Sequence, residues 1–88
     1  MNIDKSLVPD AATIEQRVGE IWRDVLGVPP GRDDATFFEL QGQSIAAVRI
    51  VARIEDEVQV SVDASVLFED PDLAAFARMV VAAAGGQA

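Results

Sequence analysis

Apolar residues recur along this chain in helical stripes separated by short polar, proline- or glycine-rich spacers. Ile14, Val18, Ile21, Trp22, Val25 and Leu26 form the first stripe and predict a helix from about Thr13 to Leu26. Thr13-Ile14-Glu15-Gln16 reads as its capping box, and Gly27 as its stop. Residues 1–12 then read as a flexible arm. The loop VPPGRDDAT is dense in turn formers. Phe37, Phe38 and Leu40 are too apolar to stay in water, so a short turn with both rings tucked against the core is expected. A second helix follows from Ser44 to about Asp56. VQVSV, over Val58–Val62, alternates like a strand but has no second strand to pair with, and reads as an extended loop. Asp63 caps a short third helix, ASVLFED, and Asp72 caps the last, whose buried stripe is Leu73, Phe76, Ala77, Val80 and Ala84. The domain then covers 13–84, with 85–88 a flexible tail after the helix fades at Gly85-Gly86. The fold class is all-α: a small bundle of three longer helices and one short one.

The second helix carries more apolar surface than one buried stripe requires. At roughly 100° per residue, Ala47, Ile50, Val51, Ile54 and Val58 fall together as a core stripe. Ile45, Val48 and Ala52 form another group, centred about 130° away. Either the bundle wraps further round this helix, or Ile45 and Val48 are exposed and dock a partner. Arg49 and Arg53 lie on the remaining face, beside that second group.

Composition narrows the chemistry. The 88 residues suffice for one domain with a modest core. There is no cysteine and no histidine, which removes disulfides, thiol nucleophiles, Ser-His triads and the usual zinc sites. No metal site and no catalytic residue is expected. The net charge of −8 argues against nucleic acid and anionic membranes, since both need clustered Lys and Arg. No run is long enough to span a bilayer, and the N-terminus lacks signal-peptide character, so a cytoplasmic protein is expected.

Ser44 then stands out. Serine is a favoured N-cap, but Ala47 three residues on cannot complete a capping box. A helix start also suits an anion, because its free N–H groups and positive dipole end point outward. No neighbouring base activates Ser44 as a nucleophile. It is better placed to receive a group from another enzyme than to catalyse.

Several ordered motifs resemble the peptidyl carrier (thiolation) domains of nonribosomal peptide synthetases, within the wider acyl carrier protein family. Ile21-Trp22-Arg23-Asp24-Val25-Leu26-Gly27 resembles the family's first helix and stop. Asp34-Ala35-Thr36-Phe37-Phe38-Glu39-Leu40 resembles the approach to the modified serine, and Gln41-Gly42-Gln43-Ser44-Ile45 stands where the family usually reads Gly-Gly-His-Ser-Leu, or has Asp before the serine. Val51-Ala52-Arg53-Ile54 and Leu67-Phe68-Glu69-Asp70-Pro71-Asp72-Leu73 complete the match, which covers roughly residues 13–82.

The resemblance implies an acyl-carrier-like fold and a monomeric carrier, free-standing from its Met1 start and GGQA end. A phosphopantetheinyl transferase, using coenzyme A and Mg²⁺, would place 4′-phosphopantetheine on Ser44. An adenylation enzyme would load an amino or aryl acid as a thioester, for condensation, tailoring or thioesterase partners in nonribosomal peptide biosynthesis. Docking would fall to Ile45, Val48, Arg49 and Ala52. Gln41 replaces the first glycine, so an ordinary φ is expected there. Gln43 replaces His or Asp and removes a charge beside the serine, which implies altered partner selection. The competing readings are an acidic helical interaction module, with Ser44 only a cap, and a degenerate carrier that docks unmodified.

Overall fold

A computed structural model describes residues 10–86 apart from Pro30 and Asp33. Residues 1–9 of the expected arm and 87–88 of the expected tail lie outside the described residues. Helix α1 spans Ala11–Leu26, α2 spans Ser44–Val58, a 3-10 helix spans Ala64–Glu69, and α3 spans Leu73–Gly86. Among the described residues there is no strand, only an isolated bridge between Thr36 and Asp72. VQVSV is irregular after its first residue, which closes α2. Among the described residues no helix is long and apolar enough to cross a membrane.

Aspartate starts most of these elements. Asp10, not Thr13, caps α1: its carboxylate accepts from Thr13 N at 2.8 Å. Thr13 is therefore a donor inside the helix, and the apparent capping box is one turn too late. A carboxylate gains from the helix dipole as well as from the hydrogen bond, so Asp10 is the stronger cap. Asp72 caps α3 by accepting from Ala75 N at 2.9 Å, and Asp63 accepts from Ser65 N at 2.9 Å to open the 3-10 helix. At the other ends α2 continues to Val58 and α3 through Gly85 and Gly86, beyond the expected stops.

The Ser65 N–H holds the Asp63 carboxyl below its ordinary pKa. A depressed folded-state pKa adds stability that is present above the unfolded value and lost as pH falls through the folded value. The melting-temperature gap between wild type and Asp63→Asn should therefore narrow on acidification from about pH 5 to about pH 2. Thermal melts at stepped pH check this; a pH-independent gap would rule the cap out as an acid-labile element.

Helix α1 packs against both α2 and α3, and the 3-10 helix packs on α2. Val18 and Ile21 of α1, Ile50 and Ile54 of α2, Leu67 of the 3-10 helix and Val80 of α3 meet with no solvent exposure. At the centre, the Trp22 ring lies 6.2 Å from Phe37 and 5.8 Å from Phe76, in tilted contacts. Trp22 Nε1 is buried there without an acceptor among the described residues, a cost of about 1–3 kcal/mol that the ring's burial offsets. On the outer side of the α1–α2 seam, Arg53 donates to Asp24 and to Glu57. Those bonds, with Glu57 first, raise the guanidinium's pKa. Arg53 thus ties two helices together and is spent within the fold.

Candidate functional site

The turn before α2 is pinned from two directions. Phe37 N donates to Pro71 O at 2.9 Å and Phe38 N to the Asp70 carboxylate at 2.9 Å, fastening it to the junction before α3. Within the turn, Gln41 N bonds to Phe38 O and Gly42 N to Phe37 O, both at 2.9 Å. That pairing closes a helical turn in a Schellman arrangement, which puts the residue after the cap in the left-handed region. That residue is Gln41, with φ 63°. The ordinary φ expected for Gln41 is thus corrected: the hydrogen-bond pattern dictates the left-handed region, at about 1–2 kcal/mol for a non-glycine residue.

Glycine is needed one place later. A Cβ on Gly42 would stand 2.5 Å from Cε1 and Cζ of the Phe37 ring, far inside contact distance. Phe37 is wholly buried and cannot move aside. The aromatic ring therefore sets how closely the chain passes before Gln43 and Ser44. Phe38, expected to tuck in beside it, is instead 48 % exposed, as is Phe68 at 44 %. Both still touch Phe37, at ring-centroid distances of 5.8 and 6.3 Å. Phe37 fills the space by itself, and its neighbours can only cover its edges.

Ser44 is not a cap. The N-cap of α2 is Gln43, at φ −132° and ψ 174°, and it makes no side-chain capping bond. Ser44 is the first helical residue, exposed, and the first α2 backbone bond runs from Ala47 N to Gln43 O at 2.9 Å. The N–H groups of Ser44, Ile45 and Ala46 precede that bond. Where α1, the 3-10 helix and α3 spend a carboxylate on such groups, α2 caps them with no side chain of a described residue.

The second apolar group on α2 faces outward. Ile45 is 68 % and Val48 58 % exposed, and Ala52 is also exposed, so the bundle does not wrap round this face. The core stripe is as expected, with Val51 only partly buried. Arg49 is exposed and makes no ion pair with a described residue, unlike Arg53. Ser44, Ile45, Val48 and Arg49 line a shallow hollow of about 390 Å³. A second groove, of about 270 Å³, opens on the α1 side, lined by Val25, Gln41, Gln43, Ile45, Ala46 and Arg49. Sequence reasoning missed that groove, because Val25 and Ala46 read as ordinary stripe members and Gln41 as an ordinary loop residue.

The site therefore offers an exposed hydroxyl at an uncapped helix start, an apolar strip and a cation, and no carboxylate lines the hollow that holds the serine. Among the described residues no cluster of His, Cys, Asp and Glu could hold a metal.

The model of a family described as "Phosphopantetheine attachment site" matches residues 16–80. Phosphinothricin tripeptide synthetase PhsC of Streptomyces viridochromogenes is 43 % identical over 70 residues, 78 % of this chain and 6 % of that protein. Tyrocidine synthase 2 of Brevibacillus parabrevis is 38 % identical over 73 residues, 83 % of this chain and 2 % of that protein. The chain thus spans only a small fraction of the curated relatives it matches. Among solved structures, BlmI, a type-II acyl-carrier-protein from Streptomyces verticillus involved in bleomycin biosynthesis, superposes with a TM-score of 0.64 at 32 % identity, covering 82 % of this chain and 87 % of BlmI.

Proposed function

Because this chain belongs to the family of phosphopantetheine attachment domains, we propose that Ser44 is its attachment residue and that the domain is a carrier in nonribosomal peptide or related natural-product biosynthesis. The family's domains carry covalent phosphopantetheine and are carriers, not catalysts. The group supplies a terminal thiol on a long arm, which lets a chain without cysteine bear acyl groups as thioesters.

The observation that carries the assignment is the uncapped, exposed Ser44 at the start of α2. Its hydroxyl fits a phosphodiester: the N–H groups of the first turn face an anion favourably, and Arg49, which makes no ion pair with a described residue, adds a positive charge to the same hollow. In the transfer, Ser44 Oγ bonds to the β-phosphorus of coenzyme A as the P–O bond between the two phosphates breaks. The 3′,5′-ADP leaves, and the hydroxyl proton passes to a base on the transferase. This chain only presents the oxygen.

Carrier domains of nonribosomal peptide synthetases interact with adenylation and condensation enzymes. Here the strip of Ile45, Val48 and Ala52, with Arg49 at its edge, is the surface such partners and the transferase would read. Its apolar side chains cluster beside the attachment point and face solvent, as docking patches do. Gln43 leaves this strip without a charge next to the serine.

Incubation with coenzyme A, Mg²⁺ and a broad-specificity phosphopantetheinyl transferase should add one phosphopantetheine to the intact mass, and fragmentation should place it on the peptide carrying Ser44. No gain, where a control carrier is modified, or a gain on another serine, would overturn the assignment. Val48→Asp should keep the melting temperature within a few degrees, because the side chain is more than half exposed. The same variant should slow modification by about tenfold or more, the scale of a desolvated docking contact. Unfolding, or modification at the wild-type rate, would remove Val48 from the docking surface.

A further inference from the structure

We propose that the groove on the α1 side of Ser44 is a resting site for the arm itself, in which Gln41, Gln43 and Arg49 are positioning residues. The inference rests on the reading that Ser44 carries phosphopantetheine. The groove lies next to the attachment point: Gln43 and Ile45, the chain neighbours of Ser44, both line it. Its lining matches the arm in kind. Arg49, which makes no ion pair with a described residue, suits the phosphodiester. The primary amides of Gln41 and Gln43 can donate to and accept from the arm's secondary amides. Val25, Ile45 and Ala46 offer apolar contact to its geminal methyl groups.

Two features of the fold prepare this groove. The Schellman turn holds Gln41 in the left-handed region, and the close Phe37–Gly42 contact fixes the path of the loop beneath it. Arg49 and Ile45 also wall the neighbouring hollow that contains Ser44, so the two depressions share a border. An arm lying on the α1 side leaves Val48, which does not line this groove, open to a partner.

The experiment compares apo and holo protein, labelled with ¹⁵N and ¹³C, after intact mass has shown full modification. In the holo protein, the arm's geminal methyl protons should show nuclear Overhauser contacts to the Val25 methyl groups. Val25 is remote in sequence from Ser44, so attachment alone would not move it. Those contacts should be lost in the fully modified Gln41→Ala/Gln43→Ala protein and weakened at least severalfold in Arg49→Gln. Full modification with shift changes confined to residues 43–47 and no contact to Val25 would overturn the resting site while leaving Ser44 as the attachment residue. Contacts that persist undiminished in both variants would overturn the part assigned to the polar side chains. Failure to gain mass would overturn the attachment reading and the resting site with it.

Discussion

Ser44→Ala is expected to abolish phosphopantetheine transfer completely while leaving stability within about 0.5 kcal/mol of wild type. The functional half follows from chemistry: alanine has no oxygen to bond to phosphorus. The stability half separates two roles for the same residue. An N-cap serine replaced by alanine costs about 0.5–2 kcal/mol. Ser44, however, sits inside the helix at its first position, and the N-cap is Gln43, which makes no side-chain capping bond. Its exposed side chain makes no hydrogen bond with a described residue, and alanine is a better helix former than serine. Intact mass after exposure to the transferase and a thermal melt by circular dichroism measure the two halves. A drop of several degrees in the variant would return Ser44 to a capping role.

Phe37→Ala is expected to lose about 3–5 kcal/mol, the largest stability effect among single changes near the site. The ring is fully buried, touches Trp22, and supports Phe38 and Phe68 at its edges. Its removal empties the centre of the core, and helices α1, α2 and α3 cannot all close on the gap. For a domain of this length, total stability is on the order of 4–13 kcal/mol, so the loss takes a large share of it and, at the low end of that range, leaves the variant mostly unfolded. Urea unfolding followed by far-ultraviolet circular dichroism should show a lower midpoint with an unchanged slope. A loss below about 1 kcal/mol would mean that the ring is not central to the packing.

The apolar stripes were legible because helical spacing is a property of sequence alone: Phe76, Ala77 and Val80 are buried as their spacing requires. Asp63 and Asp72 were legible for the same kind of reason, since a carboxylate before an apolar run has few other uses. What depended on tertiary contacts was harder. Thr13 and Ser44 both look like caps, yet Asp10 and Gln43 hold those places, because the cap is set by which carbonyl accepts the first helical bond. The shift is three positions at α1 and one at α2. Gln41 looks like a residue that avoids positive φ, and adopts it because Gln41 and Gly42 both donate back into the same short turn. Phe38 looks as buried as Phe37, and only the finite volume of the core decides between them. At the site, Ile45 and Val48 could be sorted into a second stripe from spacing, but their exposure depended on where the neighbouring helices end.

The position of Trp22 makes the domain its own optical instrument. It is the only tryptophan, and the chain has no tyrosine, so essentially all intrinsic emission comes from one ring. That ring is sealed from solvent and rests against Phe37, whose opposite duty is to hold Gly42 and the loop to Ser44. Any loosening of that loop that disturbs Phe37 changes the dielectric around the indole. The colour and lifetime of unlabelled fluorescence therefore report, from inside the core, whether the serine is being presented.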